Sequence, residues 1–171
     1  MSPRAAWRLE SLGFQEVYDY EGGKQDWAAA GLPMEGTLAA LTKAGDVALP
    51  DVPTCELQEP LGQVRTRMHT AGWDVCVVLN PERVVMGLLR REQLETPMDD
   101  ERAERVMRPG PSTFRPNVDI GEMAHYMGEH DLPSAPITTS DGRLVGMLMR
   151  ADAERAAHGS HGEVAAPDDA G

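Results

Sequence analysis

The sequence predicts an α/β fold made of two pseudo-symmetric β-α-β-β-α repeats packed as a pair, with a short α/β extension at the amino terminus. The main observation is internal similarity: residues 54–95 align on residues 113–154 at a constant offset of 59 without a gap. The second is size, since a repeat of about 60 residues is marginally stable alone. We therefore expect the repeats to share a core and to enclose a cleft. Matched pairs are Leu61 with Ile120, Val64 with Met123, Met68 with Met127, Val78 with Ile137, Gly87 with Gly146 and Leu89 with Leu148.

The second repeat, residues 109–158, shows the element order most clearly. Apolar residues at helical spacing follow Asp119, a residue type that caps helices. Alternating or continuous apolar runs predict strands on either side of a turn at residues 140–142. The predicted order is a strand from Thr113, a helix after Asp119, strands over residues 132–137 and 144–149, and a helix that begins near Asp152.

The first repeat, residues 53–97, has the same order, with a turn at Pro81 and Glu82. Residues 37–52 contain glycine and proline and are predicted to form a helical turn followed by a linker. Between the repeats, residues 98–108 are predicted to form an acidic linker helix whose carboxylates favour its positive end. The tail, residues 159–171, lacks periodic apolar residues and is predicted to be disordered.

Residues 1–36 have a different pattern. A helix is predicted to end at Gly13, where a left-handed conformation suits glycine. A strand over Phe14, Val17 and Tyr18, a turn at residues 22–23 and a second helix over residues 24–30 are predicted to follow. One strand cannot satisfy its own edges, so this segment should pack against another part of the chain or belong to a larger unit.

Charge and composition exclude several functions. The formal net charge of −12 opposes a phosphate backbone, so we expect no nucleic-acid partner. No apolar run reaches the roughly 18 residues of a membrane span, and residues 1–12 do not resemble a signal peptide. Two cysteines, without metal or redox spacing, fit a reducing compartment. A cytoplasmic protein without a membrane partner is predicted.

The doubled unit resembles the cystathionine beta-synthase (CBS) domain pair over roughly residues 53–157. The residues that carry this resemblance are VMRPGPSTFRP and DLPSAPITTSDGRLVGMLMRADAER in the second repeat and PERVVMGLLRREQL in the first. The resemblance implies a non-enzymatic regulatory module that binds an adenosine-containing ligand between the repeats and associates as a homodimer. AMP, ADP, ATP and S-adenosylmethionine are the expected ligands, and no cofactor is required.

The family pattern at the end of each hairpin is Gly, two apolar residues, Ser or Thr, two variable residues and Asp. The second repeat keeps Gly146 and Asp152 but has Met149 at the hydroxyl position. An ionised Asp can accept both hydroxyls of a ribose, although Asp152 can equally be read as a helix cap. In the first repeat Arg90 and Gln93 replace the hydroxyl and the Asp, so one site per chain is predicted.

Other candidate ligand residues complete the prediction. Arginines suit phosphate contacts if their side chains converge. By resemblance, Thr113 and the pair Ala135 and Pro136 lie where the family holds the adenine ring with backbone groups. The arginine candidates are Arg90, Arg108, Arg115 and Arg150.

Residues 2–33, SPRAAWRLESLGFQEVYDYEGGKQDWAAAGLP, resemble the end of a rhodanese domain. In that family the nucleophilic cysteine lies in a loop directly before such a helix, and this chain begins at Met1 without that loop. One alternative is therefore a fragment of a sulfurtransferase whose catalytic loop is encoded upstream of Met1. Another alternative is a dimerisation module that binds no ligand.

Catalysis and metal binding by the residues present are not predicted. Cys76 lies within a run of valines and Cys55 opens a strand, so both are expected to be structural. His125 and His130 are five residues apart and fall on different faces of a helix, which does not suit a metal site.

Overall fold

A computed structural model of the protein describes residues 9–17, 27, 41–95 and 99–160. Its elements recur at the offset of 59 that the sequence shows. In the first repeat they are β1 (Thr54–Glu56), α2 (Leu61–Ala71), β2 (Val75–Leu79), β3 (Val85–Arg90) and α3 (Arg91–Leu94), preceded by α1 (Ala44–Val47). In the second repeat they are α5 (Ile120–Glu129), β5 (Ser134–Thr138), β6 (Leu144–Met149) and α6 (Arg150–Ser160), preceded by α4 (Ala103–Val106) and β4 (Arg108–Pro109).

The two hairpins have the same register. Val78 faces Gly87 in β2 and β3, and Ile137 faces Gly146 in β5 and β6. A β-bulge follows each of these pairs at the same place, between Val78 and Leu79 and between Ile137 and Thr138. The predicted α/β fold with paired repeats is confirmed.

The sheet of repeat 1 has four strands, whereas the sheet of repeat 2 has two strands with a single β-bridge on each side. In repeat 1 the order is β1-β2-β3-β4, with β1 parallel to β2. In repeat 2, Phe114 bridges Ile137 in parallel fashion, and Leu49 bridges Met147 on the other side of the hairpin. The strand predicted from Thr113 is thus reduced to a single bridge at Phe114.

The segments that precede the repeats are exchanged between them. The first crossing segment, residues 42–49, packs on repeat 2, where the Ala44 N–H donates to the Val118 carbonyl at 2.8 Å. The second crossing segment, residues 101–109, packs on repeat 1, where the Ala103 N–H donates to the Glu59 carbonyl at 3.0 Å. Both alanines are fully buried, each in the core of the other repeat. Regions predicted to be linkers are therefore parts of the cores.

Glycine permits this exchange. The Leu49 N–H donates to the Met147 carbonyl and the Met147 N–H donates to the Leu49 carbonyl, both at 2.9 Å. A Cβ on Gly146 would lie 2.8 Å from the Leu49 carbonyl oxygen. A Cβ on Gly87 would meet Met107 and the Arg108 carbonyl in the same way. The glycines that align in the sequence are thus the positions where a crossing segment approaches β3 or β6.

The two repeats share a core, as predicted. One face of each hairpin packs on the helices of its own repeat, and the other face contributes to a cluster between the repeats. We call this set the interface cluster. Its buried members are Val52, Val75, Val77, Leu79, Leu88, Leu144 and Met147.

The hairpin turns also meet. The Val85 N–H donates to the Gly142 carbonyl and the Leu144 N–H donates to the Arg83 carbonyl, both at 3.1 Å. Because the bridge between Val84 and Arg143 is antiparallel, β3 and β6 leave this contact in opposite directions. The carboxyl ends of β3 and β6 therefore lie at opposite ends of the pair.

Several predicted elements differ in extent. The helix predicted over residues 98–108 is limited to Ala103–Val106, and residues 96–98 lie outside the described part. The last helix extends to Ser160, so the first two residues of the predicted disordered tail are helical, and residues 161–171 lie outside the described part.

The described part of the amino-terminal extension agrees only partly with its prediction. Residues 9–11 are helical and Gly13 has a φ of 94°, which confirms the predicted helix end. Residues 14–17 form no strand, in contrast to the prediction. Tyr18, the Gly-Gly turn and nearly all of the second predicted helix lie outside the described residues.

Candidate functional site

The candidate residues of repeat 2 meet at one end of its sheet. Ser134, the first residue of β5, faces Met149, the last residue of β6. Asp152 follows three residues later, in the first turn of α6. Thr113 directly precedes Phe114, which runs parallel to β5, so Thr113 lies at this same end. We call this region the repeat 2 cleft end.

The Asp152 carboxylate is half-buried and accessible. Its side chain is 25% exposed, and Oδ1 accepts a hydrogen bond from Nη1 of Arg155 at 2.8 Å. The Arg155 side chain is 76% exposed, so this pair is held weakly. Helix α6 begins at Arg150, so Asp152 stands inside the first turn, where the helix dipole favours a negative charge. The contact seen for the carboxylate is with Arg155 rather than with a capping backbone N–H.

Gln93, the residue of repeat 1 that is equivalent to Asp152, already uses both ends of its amide in hydrogen bonds to the backbone. Gln93 Oε1 accepts a hydrogen bond from the Arg90 N–H at 2.8 Å, and Gln93 Nε2 donates to the Val106 carbonyl at 3.0 Å. The amide thereby joins the end of β3 to the second crossing segment. An ionised Asp only accepts hydrogen bonds, so Asp152 cannot make the second of these contacts. The two clefts are therefore chemically different.

The candidate arginines do not converge. Arg115 donates to the Thr138 hydroxyl at 2.8 Å and to carbonyls of the following turn, at the opposite end of β5 from Ser134. Arg90 ends β3 and therefore lies at the cleft end of repeat 1. Arg108 lies in β4 beside Leu88, also in repeat 1. Of the four, Arg150 alone stands at the repeat 2 cleft end.

Arg150 already has acidic partners. Its guanidinium lies 3.0 Å from Asp131 Oδ1 and 3.8 Å from Glu154 Oε1. Because the Asp131 side chain is 95% exposed, this ion pair is strongly solvated. A phosphate would compete with Asp131 for the same guanidinium.

The residues predicted to hold an adenine ring differ in orientation. Ala135 belongs to the helix-facing core of repeat 2, so its side chain points away from the other repeat. Pro136 alternates with it and faces the interface, as its equivalent Val77 does. The Pro136 carbonyl accepts the Phe114 N–H at 3.1 Å, and Thr113 is exposed. Any contact from Ala135 would thus come from its backbone.

One residue of this region was missed in the sequence. Ser134 is 5% exposed and, with Thr138, is one of two buried polar residues in the described part of the chain. Its equivalent in repeat 1 is Val75, a member of the interface cluster. The change from valine to serine at the offset of 59 is the signal that could have revealed it.

The cysteines are buried, as predicted. Cys55 is 4% exposed and Cys76 is 0% exposed, both in the core of repeat 1. The pKa of the Cys76 thiol is raised far above its usual range. The main cause is a hydrogen bond with the Cys55 thiol, and burial is the second. A thiol in this state is a poor nucleophile, because the thiolate is the reactive form.

The described residues lack a metal-binding cluster and a membrane-spanning helix. They hold no group of three His, Cys, Asp or Glu side chains placed to bind a metal ion. Among the same residues, no helix has the length and apolar character required to cross a bilayer.

Comparison with known proteins agrees with the fold described above. The family model described as CBS domain matches residues 103–159, which include most of the second crossing segment and the whole of repeat 2. Residues 103–159 are therefore similar to a CBS domain. Comparison with curated protein sequences finds no match.

Solved structures extend the likeness to both repeats. The cytosolic domain of the Mg²⁺ channel MgtE in complex with ATP has a TM-score of 0.62 and 22% identity, covering 69% of this chain and 50% of that one. CBSX2, a CBS-pair protein from Arabidopsis thaliana, in complex with AMP has a TM-score of 0.62 and 17% identity, covering 68% and 96%. A putative acetoin utilization protein (AcuB) from Vibrio cholerae has a TM-score of 0.62 and 17% identity, covering 70% and 92%. The fold is that of a CBS pair, and the chain spans half the length of the MgtE domain.

Proposed function

We propose that the chain is a non-enzymatic regulatory CBS-pair module that binds one adenosine-containing ligand at the repeat 2 cleft end. The observation that carries this proposal is the half-buried Asp152 carboxylate, whose recorded partner is an exposed arginine. A carboxylate in this state can exchange Arg155 for the two hydroxyls of a ribose. Thr113 and the backbone of Ala135 and Pro136 lie at the same end for contact with the base.

The proposal specifies one site per chain. Gln93 already bonds to two backbone groups, and its cleft lacks a carboxylate at this position. The solved structures with ATP and AMP support an adenine nucleotide as the ligand class. Arg150 would bind the phosphate in competition with Asp131.

The mechanism is linkage. A ligand at an edge of the interface cluster contacts groups whose positions depend on how the repeats sit together. It therefore favours whichever arrangement, or state of association between chains, binds it more tightly. The protein would report ligand concentration without transforming the ligand.

The test is thermal unfolding of the whole chain with millimolar AMP, ADP, ATP or S-adenosylmethionine. A ligand that binds only the folded state raises stability by RT ln(1 + [L]/Kd), about 2.7 kcal/mol at a hundredfold excess over Kd. We expect a rise in the midpoint with at least one of the four and none with inorganic phosphate alone. Unchanged midpoints with all four would refute the proposal.

A further inference from the structure

Ser134 and Met149 form a cross-strand pair at the repeat 2 cleft end. They are partners in the register of β5 and β6. Directly opposed residues of an antiparallel pair point to the same face, with Cβ atoms about 5 Å apart. Met149 packs against the interface cluster, and Val75, the equivalent of Ser134, belongs to it. Both side chains therefore face the space between the repeats.

The Ser134 hydroxyl is unusual for its position. The other buried hydroxyl, that of Thr138, is bonded to Arg115 at 2.8 Å. For the Ser134 hydroxyl the structure shows no hydrogen bond among the residues it describes. Among the described residues, the fully buried side-chain polar atom without a partner is Asn117 Oδ1. The Ser134 oxygen therefore keeps contact with solvent at the cleft, where it is free to bond to a ligand.

Met149 has lost the polar group that its position has in the family pattern, a Ser or Thr three residues before the Asp. Because Ser134 faces Met149, its hydroxyl lies close to the place where the hydroxyl of a Ser or Thr at position 149 would be. We infer that Ser134 supplies from β5 the ligand hydrogen bond that Met149 cannot supply from β6. This inference rests on the proposed function, since it assigns a further contact residue to the same site.

The first measurement is AMP binding by the whole chain, by isothermal titration calorimetry, for the wild type and for Ser134→Ala. One lost hydrogen bond lowers affinity by about three- to tenfold. Because the structure records no protein partner for the Ser134 hydroxyl, its removal should leave the thermal midpoint of the free protein unchanged. A weaker affinity with an undiminished midpoint separates a ligand contact from a structural role.

The control is Thr138→Val, which removes the hydroxyl that is bonded to Arg115. It is expected to lower the midpoint of the free protein and to leave AMP affinity unchanged. The decisive variant is the double substitution Ser134→Ala with Met149→Thr, which returns a hydroxyl to the facing position. We expect it to recover most of the lost affinity.

The outcomes separate the two proposals. Binding of AMP by the wild type with the same affinity in Ser134→Ala would overturn the role of Ser134 alone. So would a loss in Ser134→Ala that Met149→Thr fails to recover. Absence of binding to the wild type by AMP, ADP, ATP and S-adenosylmethionine would overturn the proposed function and this inference together.

Discussion

At the scale of single residues, left-handed backbone positions recur at the offset of 59, but the residue types do not. Gly72 has a φ of 71° and its equivalent Asp131 a φ of 48°. Gly142 has a φ of 83° and its equivalent Arg83 a φ of 65°. In each pair one copy has glycine and the other has a residue with a Cβ. The left-handed conformation thus belongs to the repeat. Glycine adopts it without strain in one copy, whereas a residue with a Cβ adopts it at an energetic cost in the other.

Gly142→Ala is expected to destabilise the chain by about 1–2 kcal/mol, because the left-handed conformation is costly for a residue with a Cβ. The added Cβ would also lie 3.2 Å from Val84 Cγ1. Urea unfolding measures the difference. The matched variant, Arg83→Gly, should change stability by less than about 1 kcal/mol, since relief of strain is offset by the freer unfolded chain. Equal stability of Gly142→Ala and the wild type would contradict this account.

Site residues could be predicted only where a chemical type stands out. Asp152 could be proposed from the sequence because a carboxylate ends a recognisable pattern. Ser134 was missed because its register with Met149 and its burial appear only in the folded chain. Arg115 satisfied the chemistry of a phosphate ligand, but folding commits it to the turn after β5. The sequence shows which side chains are able to donate a hydrogen bond, whereas the group that each one bonds to depends on tertiary contacts.

At the scale of elements, the crossing segments are the feature that the sequence concealed. Residues 42–49 and 101–109 are short and rich in charged, glycine or proline residues, which is typical of linkers. The alignment does continue into them, since Ala44, Val47 and Pro50 match Ala103, Val106 and Pro109 at the offset of 59. What the sequence cannot show is that each segment packs on the other repeat, because no local pattern encodes an exchange.

Gly146→Ala tests the role of the first crossing segment. The new Cβ would lie 2.8 Å from the Leu49 carbonyl oxygen, which is backbone and cannot rotate away. We expect a loss of about 2–3 kcal/mol from overpacking and from weakening of the Leu49–Met147 hydrogen bonds. Amide hydrogen exchange should show faster exchange at Leu49.

The control for this prediction is Gly128→Ala in α5, where a Cβ would meet nothing within 4 Å. Alanine is preferred over glycine inside a helix by about 0.5–1 kcal/mol, so this variant should be more stable than the wild type. A Gly146→Ala protein as stable as the wild type, with Leu49 still protected, would show that the crossing segment tolerates displacement.

At the scale of the whole molecule, the contacts between the repeats favour unfolding as one cooperative unit. The interface cluster draws buried residues from both repeats, and the hairpin turns bond to each other. The length of each repeat, which is marginal for a stable domain, predicted a shared core correctly. The offset of 59 also predicted the main helix and the hairpin of each repeat, because it reflects a repeated hydrophobic pattern rather than any single contact.

Met147→Ala is the variant that tests this unity. Met147 is fully buried in the interface cluster, so its truncation should cost about 2–5 kcal/mol. Urea unfolding followed by circular dichroism and by Trp73 fluorescence, with Trp7 and Trp27 replaced by phenylalanine, should give one coincident transition before and after the substitution. Separate midpoints for the two signals would mean that the repeats unfold independently.

The proposed function requires a single adenosine site per chain that depends on Asp152. Its most direct test is calorimetric titration of AMP into the wild type, Asp152→Asn and Gln93→Ala. We predict one site per chain, an affinity at least about tenfold weaker in Asp152→Asn because hydrogen bonds to a charged acceptor are lost, and an unchanged affinity in Gln93→Ala. Two sites per chain, or equal affinity in Asp152→Asn and the wild type, would contradict the claim.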